Sequence, residues 1–253
     1  MTALGPLGAG SVVKSTARQG SQLASGVLEG PSWLLPPASF LRHNPDVDAE
    51  THLSRADPDF ASLIARIGPC GLRIEGDREP YEALVRAIAF QQIHGNAARA
   101  ILGRFLALYP AVAFPDPESI LATETAWMRE VGFSLSKISA IKAIAQAALS
   151  GVIPLRADAT SLDDETLIDR MVSIRGVGRW TVEMMLMHTL GRPDIWPVDD
   201  FGVREGWRVL KGLARQPAPR DLANAGRMLR PFRSVASWYL WRAADEARQK
   251  PAK

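Results

Sequence analysis

Cysteine is almost absent: the 253-residue sequence has only Cys70. One thiol cannot make an internal disulfide, a four-thiolate zinc site or a cysteine-ligated iron–sulfur cluster, and a reducing compartment suits such a chain. Long hydrophobic runs are missing too. No stretch of about 18 uninterrupted apolar residues occurs, and the first thirty residues hold no compact hydrophobic block behind a basic start, so membrane-spanning and secretory readings drop out. Acidic residues are scarce in 1–45, where Glu29 stands alone among Gly, Ser, Pro and Ala with no sustained period. That segment reads as a disordered or loosely attached arm. A nearly acid-free targeting peptide and a start codon placed too early fit it equally.

What is present is a globular composition, 47% hydrophobic and 23% charged, with core enough to fold unaided. The net charge of +3 is unevenly spread: residues 201–253 carry a balance of +8 and residues 1–200 a balance of −5. The basic end is either a face for a polyanion or a solvated tail. From residue 46 onward, helical periodicity dominates and strand-like alternation is scarce. Leu84, Val85, Ile88 and Ala89 form one apolar stripe, Ala97, Ile101, Leu102 and Phe105 a second, and Ile138, Ile141, Ala145 and Leu149 a third. Prolines and glycines punctuate these segments. The rhythm predicts nine or ten helices in one all-α domain over 46–253. Trp127 and Trp207 read as core aromatics.

The most informative stretch runs from Asp163 to Leu190. A helical pattern (Leu167, Ile168, Met171) leads into Ile174-Arg175-Gly176-Val177-Gly178-Arg179-Trp180-Thr181, and a second follows at Val182, Met185, Leu186 and Thr189. Glycines here permit a sharp bend and close approach to a partner, while the first N–H groups of the second helix make an anion site suited to a DNA phosphate. An ordinary tight helix–helix connection also accommodates a bare Gly-x-Gly. The flanking residues narrow the choice.

Three elements in order carry a resemblance spanning about residues 55–245. They are Ala89-Phe90-Gln91-Gln92-Ile93 followed by Ala97-Ala98, the Gly-Val-Gly-Arg-Trp-Thr hairpin, and Trp196-Pro197-Val198-Asp199-Asp200-Phe201 at its proper distance behind. Together they resemble the helix–hairpin–helix DNA glycosylase superfamily. Bifunctional members have a lysine nucleophile two residues past the second hairpin glycine, where this chain has Trp180. Cluster-bearing members have four cysteines, which this chain lacks. The hairpin is most similar to the DNA-3-methyladenine glycosylase II group, which excises alkylated bases, in its compact, yeast-type form without an N-terminal β-rich domain. The resemblance implies a two-lobed helical bundle with the hairpin at the lobe interface, and hydrolysis by water without an amine nucleophile.

The same resemblance implies roles. Trp180 and Trp241 line the base pocket, and Met184 stands where some members have an aromatic. Gln92 is the wedge, flanked by Gln91 and Ile93. Gly176, Val177, Gly178, Arg179 and Thr181 of the hairpin, with Arg233 and Ser234, contact DNA, and Arg175 is a further phosphate candidate. Backbone carbonyls of Val172, Ile174 and Val177 hold a structural sodium or potassium ion, and catalysis needs no cofactor. Chemistry selects the catalytic group: a fixed carboxylate stabilises the oxocarbenium-like cation formed as an N-glycosidic bond breaks. Asp200 is the choice, with Asp199 its competitor. If Asp199 caps the following helix, Asp200 lies in the first turn, where the macrodipole favours an anion.

His43, His52, His94 and His188 lack metal-ligand spacing. His94, beside the wedge, either touches DNA or sits half-buried on a helix. The expected partner is duplex DNA with damaged bases, met by a monomer in the bacterial cytoplasm or the eukaryotic nucleus. Two alternatives stay open: the same fold acting on hypoxanthine, uracil or an oxidised base, and a non-catalytic damaged-DNA-binding module.

Overall fold

The computed structural model describes residues 48–249. The arm expected over 1–45, with His43, lies outside the described residues. Within them the chain forms thirteen α-helices and a 3-10 turn at Gly226–Leu229, with no strand. In chain order they are α1 (Ala49–Ala56), α2 (Pro58–Ile67), α3 (Pro80–Phe90), α4 (Gly95–Leu106), α5 (Pro117–Ala122), α6 (Thr125–Glu130) and α7 (Leu135–Leu149). Then come α8 (Arg156–Ala159), α9 (Asp164–Val172), α10 (Arg179–His188), α11 (Phe201–Leu210), α12 (Pro219–Ala225) and α13 (Arg233–Gln249). The count exceeds nine or ten because α5, α6, α8 and α12 have only four to seven residues, too few to display a period.

Local chemistry explains where these helices start. Side chains of Asp48, Asp57, Asp116, Ser134 and Asp163 accept backbone N–H groups at the beginnings of α1, α2, α5, α7 and α9. Proline opens α2, α3, α5 and α12, where its missing N–H has no helical partner to lose.

Two apolar cores divide the described chain. Leu84, Ile88, Phe105, Ile141, Leu167, Met171, Val182 and Leu186 belong to one, built by the middle of the sequence. Leu53, Phe60, Leu63, Val203, Trp207, Tyr239 and Leu240 belong to the other, which joins the N-terminal helices to α11 and α13. Trp241 packs against both. The expected two-lobed bundle is therefore present, with a tryptophan in the seam. In α3 the whole apolar stripe is buried, whereas α4 turns Ala98 rather than Ala97 inward and α7 leaves Leu149 exposed. Trp207 is core as expected, but Trp127 on the short α6 is 53% exposed. No described helix is long and apolar enough to cross a membrane.

Candidate active site

Asp200 occupies the N-cap of α11, and its Oδ1 accepts the Val203 N–H at 2.7 Å. This corrects the register expected from sequence: Asp199 stands exposed ahead of the helix, and the side chain that reaches the third N–H is that of Asp200. Two indoles converge on the same carboxylate. Trp180 Nε1 donates to Oδ2 at 2.8 Å and Trp241 Nε1 donates to Oδ1 at 2.8 Å. All three partners donate, as an acceptor-only carboxylate requires. Three helices from two lobes thus meet at one anionic group.

Glycine makes this meeting possible. A Cβ on Gly202 would stand 2.7 Å from Trp241 Cδ1 and 3.2 Å from Asp200 Oδ1, so only a bare backbone admits the indole beside the cap. Trp180 is 41% exposed, leaving indole surface open. Behind Trp241 lies the His188 imidazole, stacked at 6.0 Å between centroids and 18° between planes. Burial pushes the His188 pKa down to about 4, which keeps the ring neutral. Its Nδ1 lies 3.3 Å from the Arg73 carbonyl. A cleft of about 760 Å³ lined by Arg204, Trp207, Arg215 and Asp221 includes none of Asp200, Trp180 or Trp241.

The expected hairpin joins α9 to α10. Gly176 has φ +84°, and a Cβ there would approach the Ala140 Cβ on α7 to 2.6 Å. Val177 is buried between the helices, its N–H donating to the Ile174 carbonyl at 3.0 Å. Gly178 caps α10 without a side chain, so no side-chain oxygen meets the first N–H groups, and the Thr181 N–H donates to the Gly178 carbonyl at 2.9 Å. Across from the hairpin, α3 ends at Phe90 and the chain turns through exposed Gln92. Among the described residues Gln92 is the one non-glycine with positive φ, +58°. Such a conformation is held by its surroundings and is concentrated at functional sites. Ile93 beside it is exposed. His94 is also exposed and caps α4 by accepting the Asn96 N–H at Nδ1 (3.3 Å).

A model of the HhH-GPD superfamily base excision DNA repair proteins matches residues 85–231, the span that contains Gln91–Ile93, the hairpin and Asp200. The chain belongs to that superfamily. It is 42% identical over 200 residues to the Schizosaccharomyces pombe DNA-3-methyladenine glycosylase 1, covering 79% of this chain and 88% of the relative. It is 35% identical to the alkylbase DNA glycosidase-like protein of the same yeast, over 76% of this chain and 91% of that one. Its fold matches that of the S. pombe 3-methyladenine DNA glycosylase solved in complex with abasic DNA (TM-score 0.70, 41% identity, 78% of this chain and 96% of that chain). It also matches a Bacillus halodurans DNA-3-methyladenine glycosidase (TM-score 0.73, 29% identity, 81% and 93%).

Several residues expected to touch DNA have partners inside this HhH-GPD chain. Ser234 is fully buried: its hydroxyl donates to the Arg192 carbonyl (2.6 Å) and accepts the Ile195 N–H (2.9 Å), and its amide donates to the Pro193 carbonyl (2.9 Å). Thr181 is buried as well, and its Oγ1 accepts from Gln91 Nε2 at 3.3 Å, so this pair ties α3 to α10. Arg233 forms a two-point ion pair with Asp194 and is 15% exposed. Arg179 grips Glu165 with two N–H groups, at 3.0 and 2.6 Å, and Glu183 with a third. All four stand near helix starts, where polar side chains meet neighbouring backbone and ion-pair partners. Met184 lies buried in the core cluster under α10. Gly176, Gly178 and Arg175 remain exposed at the turn.

Glu183 was not anticipated. It is only 4% exposed, and burial raises its pKa to about 7 against the pull of Arg179, with Asp199 adding a smaller push upward. The available signal was a lone acid among the apolar positions of α10. The basic C-terminal fifth is largely neutralised within the described residues. Lys211 pairs with Asp57 and Asp59, Arg208 with Glu205, and Arg242 with Asp245, while Arg215, Arg220 and Arg227 lie exposed.

Proposed function

We propose that this protein is a monofunctional DNA glycosylase that flips alkylated bases, 3-methyladenine and 7-methylguanine among them, out of duplex DNA and removes them hydrolytically. The observation that carries the reading is the Asp200 carboxylate held by the indole N–H groups of Trp180 and Trp241, in a chain similar to 3-methyladenine glycosylases over most of its length.

A base inside duplex DNA is out of reach, so the nucleotide must leave the stack at a cost of a few kcal/mol. Gln92, pre-set in its left-handed conformation on an exposed turn, fills the vacated space, with Ile93 beside it. The hairpin N–H groups, offered without a capping side chain at Gly178, bind backbone phosphate independently of sequence. N-alkylated purines are cationic, and each indole face attracts such a ring by about 0.5–2 kcal/mol. When the C1′–N bond breaks, the electron pair leaves with the base, which departs neutral, and positive charge develops on the sugar. Asp200 stabilises that charge. A water then adds to C1′ and releases a proton, leaving an abasic site. Because the base is already a good leaving group, no strong general acid is required. Position 180 holds an indole, which forms no Schiff base, so strand cleavage does not follow.

A sodium or potassium ion fits the hairpin as a structural element. The carbonyls of Val172, Ile174 and Val177 are neutral oxygen donors, and the Ile174 oxygen has a second lone pair beyond the one meeting Val177 N–H. Such an ion would hold the turn and face phosphate. Among the described residues no group of three His, Cys, Asp or Glu is placed to hold a metal. One copy of the chain contributes every group of the site, so a monomer suffices, working wherever the genome lies: the cytoplasm of a bacterium or the nucleus of a eukaryote.

The test is base release from duplexes containing 3-methyladenine, 7-methylguanine or hypoxanthine, with borohydride trapping in parallel. The reading requires release of methylated bases, intact strands and no trapped adduct. Hypoxanthine release alone would move the substrate class, a trapped adduct would restore lyase chemistry, and tight binding with no release would leave a binding module.

A further inference from the structure

The wedge is held by a residue that the chemistry above does not use. Lys137, on the first turn of α7, is half-buried and donates from Nζ to the carbonyl of Ala89 at 2.8 Å. Ala89 is in the last turn of α3, and carbonyls there have no helical N–H to meet. The usual remedy, a left-handed glycine just past the helix, is absent: Gln91 follows with φ −59° and ψ 134°, then Gln92 with φ +58°. An ammonium from another helix supplies both the hydrogen bond and a charge matched to the negative end of the α3 dipole. Burial lowers the Lys137 pKa, as expected for an amine withdrawn toward a helix end.

The same face of α7, one turn on, also meets the hairpin. Ala140, three residues on from Lys137 and so on the same face, is the residue whose Cβ would stand 2.6 Å from a Cβ on Gly176. One face of one helix therefore touches the end of the wedge helix through Lys137 and the phosphate-binding turn through Ala140. A second tie, Gln91 Nε2 to Thr181 Oγ1 at 3.3 Å, links the same two elements directly. We propose that Lys137 is a positioning residue for base flipping: it fixes the C-terminus of α3, and with it Gln92, at a set distance from the hairpin, so that a phosphate held at Gly176–Gly178 places the wedge at the damaged base. The proposal rests on the glycosylase reading above. It assigns Lys137 to extrusion of the base, with backbone binding left to the hairpin.

The experiment compares wild type, Lys137→Met and Lys137→Arg in three readouts. These are affinity for duplex containing an abasic-site analogue, fluorescence of 2-aminopurine placed beside the lesion, which rises as the base unstacks, and the single-turnover rate of 7-methylguanine release. Methionine keeps the stem and removes the donor. Lys137→Met is expected to bind abasic duplex within about twofold of wild type while base release falls by about tenfold or more, within the hundredfold that small misplacements cause. The 2-aminopurine signal falls with it, and Lys137→Arg restores both. Wild-type fluorescence and rate in Lys137→Met would overturn the proposal. So would equal losses of affinity, rate and melting temperature that arginine does not rescue, which marks a purely structural residue. If wild type releases no base, the glycosylase reading fails, and the fluorescence comparison still decides whether Lys137 sets extrusion.

Discussion

Trp241 is held by its N–H at Asp200 and across its ring by the neutral imidazole of His188. Trp241→Phe keeps an aromatic plate and removes the donor. A hydrogen bond to a charged group contributes about 1.5–3 kcal/mol, so single-turnover base release is expected to fall about 10- to 100-fold while affinity for abasic duplex stays near wild type. Gly202→Ala reaches the same carboxylate by another route, since the new Cβ meets Trp241 Cδ1 at 2.7 Å. It is expected to slow base release by about tenfold or more with little change in melting temperature, because the indole it displaces lies at the rim of both cores. Equal rates for the alanine variant and wild type would show that the indole's placement beside the cap is not needed.

Among the elements, α11 and α13 approach closely, and Gly206 is the reason: a Cβ there would lie 2.0 Å from the Leu240 carbonyl oxygen. Backbone cannot move aside as a side chain can. Gly206→Ala is expected to lower stability by about 3 kcal/mol or more, read as a melting-temperature drop of about 6 °C or more. Helices α3, α9 and α10 were legible in the sequence because each is long enough to show an apolar stripe with a clear start. The short α5, α6 and α8 were not, since four to six residues make less than two turns. The site was legible in part. Asp200 and Trp180 came through the resemblance of the hairpin and the Pro-x-Asp-Asp segment to the glycosylase superfamily, yet two adjacent aspartates are equally good caps locally, and only the Val203 N–H chooses between them. Ser234 and Thr181 look like surface hydroxyls in sequence. Their burial is decided by Ile195 and Gln91, distant in the chain. The same distance hid the tie from Lys137 to Ala89.

For the whole molecule, two buried titrating groups on α10 shape stability in opposite senses. Glu183 has its pKa raised from 4.5 to about 7, so between those values the native state binds more protons than the unfolded chain and stability falls as pH rises. His188 has its pKa lowered from 6.5 to about 4, so over that window the native state binds fewer protons and stability rises with pH. Each contribution is on the order of 3 kcal/mol, and the two nearly offset between pH 4.5 and 6.5. Urea unfolding of Glu183→Gln is expected to give a stability that climbs across that range. His188→Phe is expected to give one that declines. At the same scale, the middle of the described residues builds one lobe and their first and last helices build the other, and the lobes meet where Trp180 and Trp241 share Asp200. The most direct test of that seam as a catalytic centre is single-turnover 7-methylguanine release by Asp200→Asn beside its affinity for abasic duplex. Asparagine keeps the shape and an oxygen acceptor but not the charge. Base release reduced by about 100-fold or more with affinity retained is the expected result. Release at the wild-type rate would contradict the role of Asp200 and move the search for the charge-stabilising group to Asp199.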